Sequence, residues 1–227
     1  FIKTIQLWIY SKWKPLYAFN KEKFIYHLSF GYKLTLSNIL DTIFTNIYNV
    51  IIGRYFPLIQ LGYYHRANTL QMYPVSIVSS ILGKVTYPLF AKIQNDNIRL
   101  KSVYKRILQM NIFVTAPILM IAGVLAEPLF IFLFTHKWIE AVPYFRILIV
   151  IGIMYPIHSF NLNILTVKGR SDLFLKLELI KKIMIIVVII CSFKFGILGL
   201  LYGKVFTTFI GFFINTFYSG KFINYKA

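Results

Sequence analysis

Six apolar stretches, each about 20 residues long, recur between basic connections in this chain of 227 residues. They run approximately over 30–53, 73–91, 109–134, 142–165, 176–195 and 197–218. A helix of about 20 apolar residues crosses the ~30 Å of hydrocarbon in a bilayer. The balance of residue types agrees. Hydrophobic residues are 58% of the chain and charged ones 14%, whereas a soluble domain sits nearer half and a quarter. The pattern predicts an all-α, polytopic transmembrane bundle of about six full spans. Pro57, Pro74 and Pro143 mark block boundaries. The stretch "QLGYYHRANTLQMYP", just before the second block, reads as an amphipathic segment lying along the outer surface.

The ends read differently from the middle. "FIKTIQLWIY" resembles the closing turns of a helix, and no signal peptide with a small-residue cleavage site follows Phe1. Residues 1–23 are therefore expected to be the end of a preceding transmembrane helix and a cytoplasmic basic loop. Residues 24–227 are expected to form the transmembrane bundle, within an internal piece of a longer protein.

A formal charge of +18, from 25 Lys and Arg against 7 Asp and Glu, would point to nucleic acid in a soluble protein. Here most of the cations stand between apolar blocks, and they alternate. Sixteen fall on one side, in the connections around Lys12–Lys23, Lys92–Arg106, Lys168–Lys182 and the tail; five fall on the other, at Arg54, Arg66, Lys137, Arg146 and Lys194. Positive-inside orientation places the first group in the cytoplasm, with the bilayer and not nucleic acid as partner.

The spans are not uniformly greasy. Asn38, Asp41, Thr42, Thr45 and Asn49 recur at steps of three and four along one stripe of the first span. Ser76, Ser79, Ser80, Gly83, Lys84 and Tyr87 do so in the second, and Lys204, Thr207, Thr208, Gly211 and Asn215 in the sixth. The fourth carries His158, Asn161 and Asn163 just after Pro156. Polar groups in hydrocarbon face protein or water. Such stripes serve either as hydrogen-bonding glue between helices or as the lining of a shared wet interior. The candidate cavity-lining residues are Asn38, Asp41, Asn49, Ser80, Lys84, His158, Asn161 and Lys204.

No catalytic constellation assembles. "GKVT" at 83–86 lacks the upstream glycine and the Ser/Thr position of a phosphate loop. The four histidines have no i,i+4 partner, so no metal site is expected. Cys191 is the single cysteine, which excludes a disulfide within the chain. No cofactor is called for.

Several stretches together carry a likeness: "QLGYYHRA", "KVTYPLFAKIQND", "AEPLFIFLF" with "KWIEAVP", and above all "YPIHSFNLNILTVKGRSDLFLKLELIKK". Over roughly residues 24–222 the chain resembles the polysaccharide and O-antigen flippases (lipopolysaccharide biosynthesis proteins) of the multidrug/oligosaccharidyl-lipid/polysaccharide exporter superfamily. The resemblance implies two helical bundles around a central cavity, of which this chain would supply mostly the second. It implies a multi-pass protein of the bacterial inner membrane, with a lipid-linked oligosaccharide as cargo and polysaccharide-assembly enzymes as partners. It carries over no site residues. On that footing Lys84 is expected to contact a diphosphate, with Asp41 as its partner. A cation-coupled multidrug exporter of the same superfamily, or a membrane enzyme of glycan assembly, remains the alternative.

Overall fold

The structure, a computed structural model, describes residues 19–167 and 169–222 with Gln6, Tyr10 and Ser11, the side chains of 26, 82, 87, 97, 158–164 and 219–222 excepted. The expected helix stub and first basic loop lie largely outside the described residues. Every regular element among these residues is a helix: α1 (Lys21–Tyr55), α2 (Leu58–Lys92), α3 (Asn97–Val124), α4 (Ala126–Phe134), α5 (Val142–Val167), α6 (Ser171–Phe193) and α7 (Gly196–Phe222). A 3₁₀ turn, His136–Ala141, leads into α5.

Local chemistry explains the starts. Asn20 caps α1 by accepting from the Lys23 amide at 3.0 Å, and Asp96 caps α3 by accepting from the Arg99 amide at 2.9 Å. Pro57 separates α1 from α2, and Gly169 and Gly196, at φ 72° and 71°, supply the left-handed residues at the turns entering α6 and α7. In the turn before α6, Arg170 grips Asp172 through two hydrogen bonds of 3.0 and 2.9 Å. That grip holds the Asp172 carboxyl below its usual range. Short connections force successive long helices to run antiparallel.

Three sequence expectations are corrected. The segment before the second block is not a surface element: α2 begins at Leu58 and runs through Pro74 without ending. Proline inside a helix removes one backbone bond, which neighbouring helices in a bundle tolerate. The third block is two helices, because the chain breaks at Leu125 between α3 and α4. Lys181 and Lys182 belong to no loop, since α6 starts ten residues earlier, at Ser171. Among the described residues, four segments are long and apolar enough to cross a membrane, namely Leu58–Lys92, Ile98–Val124, His136–Ile157 and Gly196–Tyr218. The other two long helices, α1 and α6, have 35 and 23 residues but carry polar and charged groups along their length.

The bundle packs through α2 on α5, α5 on α7, α7 on α6 and α6 on α1. Its main core lies where α1 and α6 end and α2, α5 and α7 begin, around Ile52, Tyr64, Ala67, Phe130, Phe145, Leu148 and Leu200, all fully buried. A smaller core of Phe90, Leu100, Tyr104 and Val167 closes the opposite end of α2, α3 and α5. Between the two ends, a polar space opens on the side of α1, α6 and α7.

Candidate functional site

A cavity of about 400 Å³ is bounded by α1, α2, α5, α6 and α7. From α1 come Ser37, Asn38, Asp41, Phe44, Thr45 and Tyr48; from α2, Asn68, Gln71 and Met72. Ile151 and Tyr155 of α5 form its apolar back wall, α6 adds Glu178, Lys181 and Lys182, and α7 adds Lys204, Thr207 and Thr208. The α1 residues share one arc because steps of three and four return to the same side of a helix.

Two groups of charge occupy this space. In the first, Lys182 Nζ donates to Asp41 Oδ1 at 2.7 Å, tying α6 to α1 across 141 positions of sequence. The same ammonium stands 3.2 Å from Glu178 Oε2, and Glu178 Oε1 also accepts from Lys181. Glu178 and Lys182 are buried, whereas the Asp41 side chain is 63% exposed and opens to the cavity mouth. Two ammoniums and two carboxylates make this group neutral. A buried carboxylate held by two cations avoids most of the several kcal/mol that an isolated ion would lose on desolvation.

The second group is Lys204 with two tyrosines. Its Nζ donates to the Tyr64 hydroxyl at 3.0 Å and sits 5.0 Å from the Tyr48 ring centroid and 5.4 Å from that of Tyr64. Tyrosine faces attract a desolvated ammonium by ~1–2 kcal/mol. Among the described residues no carboxylate lies within ion-pair distance of Lys204. Thr207 and Thr208 donate their hydroxyls to the Lys204 carbonyl at 2.9 and 2.8 Å, so these two side chains are satisfied within their own helix.

The expected residues divide. Asn38, Asp41 and Lys204 face the cavity together. Asn49 lies further round α1, half-buried, outside the cavity lining. Ser80 and Lys84 are exposed on the side of α2 opposite its buried residues Gln71, Val75, Thr86 and Phe90. They do not line this cavity, and the Ser80 hydroxyl bonds the Ile77 carbonyl at 2.9 Å. The expected Lys84–Asp41 pairing is corrected: Asp41 binds Lys182. Periodicity names a polar face but not the neighbour it meets. The side chains of His158 and Asn161 lie outside the described residues.

Sequence reading misses Glu178 altogether, places Lys181 and Lys182 in a basic loop, and places the α2 face of Tyr64, Asn68 and Gln71 in a surface segment. The spacing of that face, four then three, was a readable signal. Gln71 is 1% exposed and its Oε1 has no hydrogen-bond partner. It presses on Gly152, where an added Cβ would collide with that oxygen and stand 3.0 Å from Leu119.

A family model described as "Polysaccharide biosynthesis protein" matches residues 1–143. The chain is 29% identical over 163 residues to the Bacillus subtilis teichuronic acid biosynthesis protein TuaB, covering 72% of this chain and 34% of that protein. It is 24% identical over 193 residues to the Escherichia coli lipopolysaccharide biosynthesis protein WzxC, covering 83% and 39%. It is 27% identical over 160 residues to the Rhizobium meliloti succinoglycan biosynthesis transport protein ExoT, covering 70% and 32%. The matched region thus spans about a third of the length of these relatives. No solved structure matches the chain.

Proposed function

The chain belongs to the polysaccharide biosynthesis protein family, and from that premise we propose that it is part of a flippase that carries undecaprenyl-diphosphate-linked oligosaccharide across the bacterial inner membrane. The observation that carries this reading is Lys204, an ammonium inside a helical bundle of membrane-spanning character with no carboxylate beside it. An ammonium at that depth is costly; one hydroxyl and two tyrosine faces offset part of that cost, and an anionic ligand would offset more. Lysine suits phosphate as a compact point charge with three donors.

The rest of the cavity fits the same cargo. Its amides and hydroxyls suit sugar, and its three lysines against two carboxylates disfavour a cationic drug. Asp41 and Glu178 are both held by lysines, which leaves neither free as a general base, so transport fits better than glycan-assembly chemistry. The name of ExoT, a transport protein of succinoglycan biosynthesis, points the same way. Partners among the polysaccharide-assembly enzymes belong to this proposal.

The test uses the full-length protein in its parent bacterium. Lys204→Ala should reduce surface polysaccharide by about tenfold or more, and lipid-linked intermediate should accumulate on the cytoplasmic leaflet. Lys204→Arg should keep much of the display. Wild-type display by Lys204→Ala, at normal membrane levels of protein, would overturn the assignment.

A further inference from the structure

Away from the cavity, where α3 gives way to α4, an apolar face and an unpaired cation lie side by side. α4 has nine residues, ~13 Å of helix, too short to cross ~30 Å of hydrocarbon. It buries Ala126 and Phe130 in the main core and turns Ile131, Phe132 and Leu133 outward, Phe132 being 86% exposed. That outward face continues the exposed apolar side of α3 through Ile121, Val124 and Leu125. Beyond it, Phe134 and Trp138 hold their rings 6.1 Å apart at 55°, and Trp138 meets Tyr63 edge to face. The exposed Arg66 of α2 places its guanidinium carbon 5.1 Å from the Phe134 centroid and 5.4 Å from that of Trp138. Among the described residues its N–H donors have no acceptor, and no carboxylate lies within ion-pair distance, Glu140 of the 3₁₀ turn included. Ring contact holds the cation by its charge and leaves a planar fork of five donors unused. Depth follows from length. The 35 residues of α2, ~52 Å when helical, exceed the hydrocarbon by about 11 Å at each end of a centred helix. Arg66, ~12 Å along α2 from Leu58, thus falls at the boundary of hydrocarbon and headgroups, where tryptophan and tyrosine concentrate.

We propose that Arg66, Phe134 and Trp138 form the headgroup site of a resident glycerophospholipid in the leaflet at that end, with the outward face of α4 among its acyl chains. A phosphodiester carries one negative charge on two unesterified oxygens, which match two parallel donors of a guanidinium. The aromatic pair orients the fork beforehand, so little side-chain freedom is lost on binding. The two halves of the site select one ligand between them. A free phosphate would pair with Arg66 and leave Phe132 bare; a diacylglycerol would cover Phe132 and leave Arg66 unpaired. Arg66 does not line the cavity, and the assignment does not rest on the flippase reading. A lipid held there ties α2, α4 and the 3₁₀ turn to the bilayer.

The probes are phosphatidylglycerol, a diacylglycerol with the same chains, and glycerol 3-phosphate, each titrated onto delipidated full-length protein in detergent. Native mass spectrometry reads the affinity of the first molecule bound. Wild type should prefer phosphatidylglycerol to either other probe by about tenfold or more, the effect of charge-assisted hydrogen bonds to one guanidinium. In Arg66→Gln the preference over diacylglycerol should fall toward one. A second measurement places α4. A nitroxide attached to Phe132→Cys, in phosphatidylglycerol vesicles, should collide with oxygen and not with a water-soluble nickel chelate. If glycerol 3-phosphate binds as tightly as the phospholipid, the ligand is a free phosphate and the lipid assignment fails. It fails equally if Arg66→Gln keeps the wild-type preference. A label that the nickel chelate reaches puts α4 in water, and one that neither quencher reaches puts it under another helix; both results overturn the site. Should Arg66→Gln fail to accumulate, the wild-type order of the three probes still decides.

Discussion

At the scale of single residues, the charged group shows that burial and not proximity sets the worth of an ion pair. Asp41 and Glu178 both bind Lys182, yet one side chain is 63% exposed and the other 4%. Water screens the first, and exposed pairs contribute ~0–1 kcal/mol. Neutralising the second strands two lysines, one of them buried, and breaking a buried pair costs ~3–5 kcal/mol. Asp41→Asn should therefore lower stability by less than ~1 kcal/mol, and Glu178→Gln by about 3. Unfolding of the purified protein in detergent measures both, and equal losses would contradict the burial argument. Residue type was enough to single out Asp41, because a carboxylate inside a long apolar run demands a partner. Its partner was not legible, since 141 positions of chain separate the two.

At the scale of elements, the third apolar block shows what hydropathy misses. Nothing in "MIAGVLAEPLFIFLF" interrupts the apolar run except Glu127-Pro128, yet the helix ends at Val124 and restarts at Ala126. Proline at the third position of α4 tolerates a helix start, where its missing amide has no intrahelical partner anyway. Glu127 joins Arg146 at 3.3 Å, linking α4 to α5. The end of α4 carries strain as well. Thr135 sits at φ 76° and ψ 167°, a region that favours glycine, and such a residue costs ~1–3 kcal/mol. Thr135→Gly should accordingly raise stability by about 1 kcal/mol after glycine's greater unfolded-state entropy is counted. A higher unfolding midpoint in detergent is the expected result, and a lower one would mean that the Thr135 side chain contributes more than its backbone costs.

At the scale of the whole molecule, antiparallel helices joined by short turns divide the connections into two sets. The cation asymmetry survives the removal of Lys181 and Lys182, which line the cavity. The end bearing Lys92, Arg99 and Lys101 is thus assigned to the cytoplasm and the end bearing Arg54, Lys137 and Lys194 to the far side, as part of the proposed function. In a full-length protein with its native cysteines replaced, a single cysteine at Lys92 should resist a membrane-impermeant thiol reagent in intact cells. One at Lys137 should react. The opposite pattern would overturn the proposed orientation of the bundle.

The sequence by itself determined that this chain is a helical membrane bundle, because block length and residue type are local quantities and hydrocarbon admits few solutions. It also determined that Asp41 and Lys204 need company, because the cost of a charge in a membrane segment does not depend on which helix is next door. Only the tertiary structure decided which polar faces meet. Ser76, Ser80 and Lys84 form as regular a stripe as Tyr64, Asn68 and Gln71, and both lie on α2. The first is exposed; of the second, Asn68 and Gln71 line the cavity and Tyr64 is buried behind it against Lys204. The difference lies in how α2 is rotated against α5 and α7, which packing around Gly152, Val75 and Leu119 sets, and a repeat of three and four residues carries no record of that rotation.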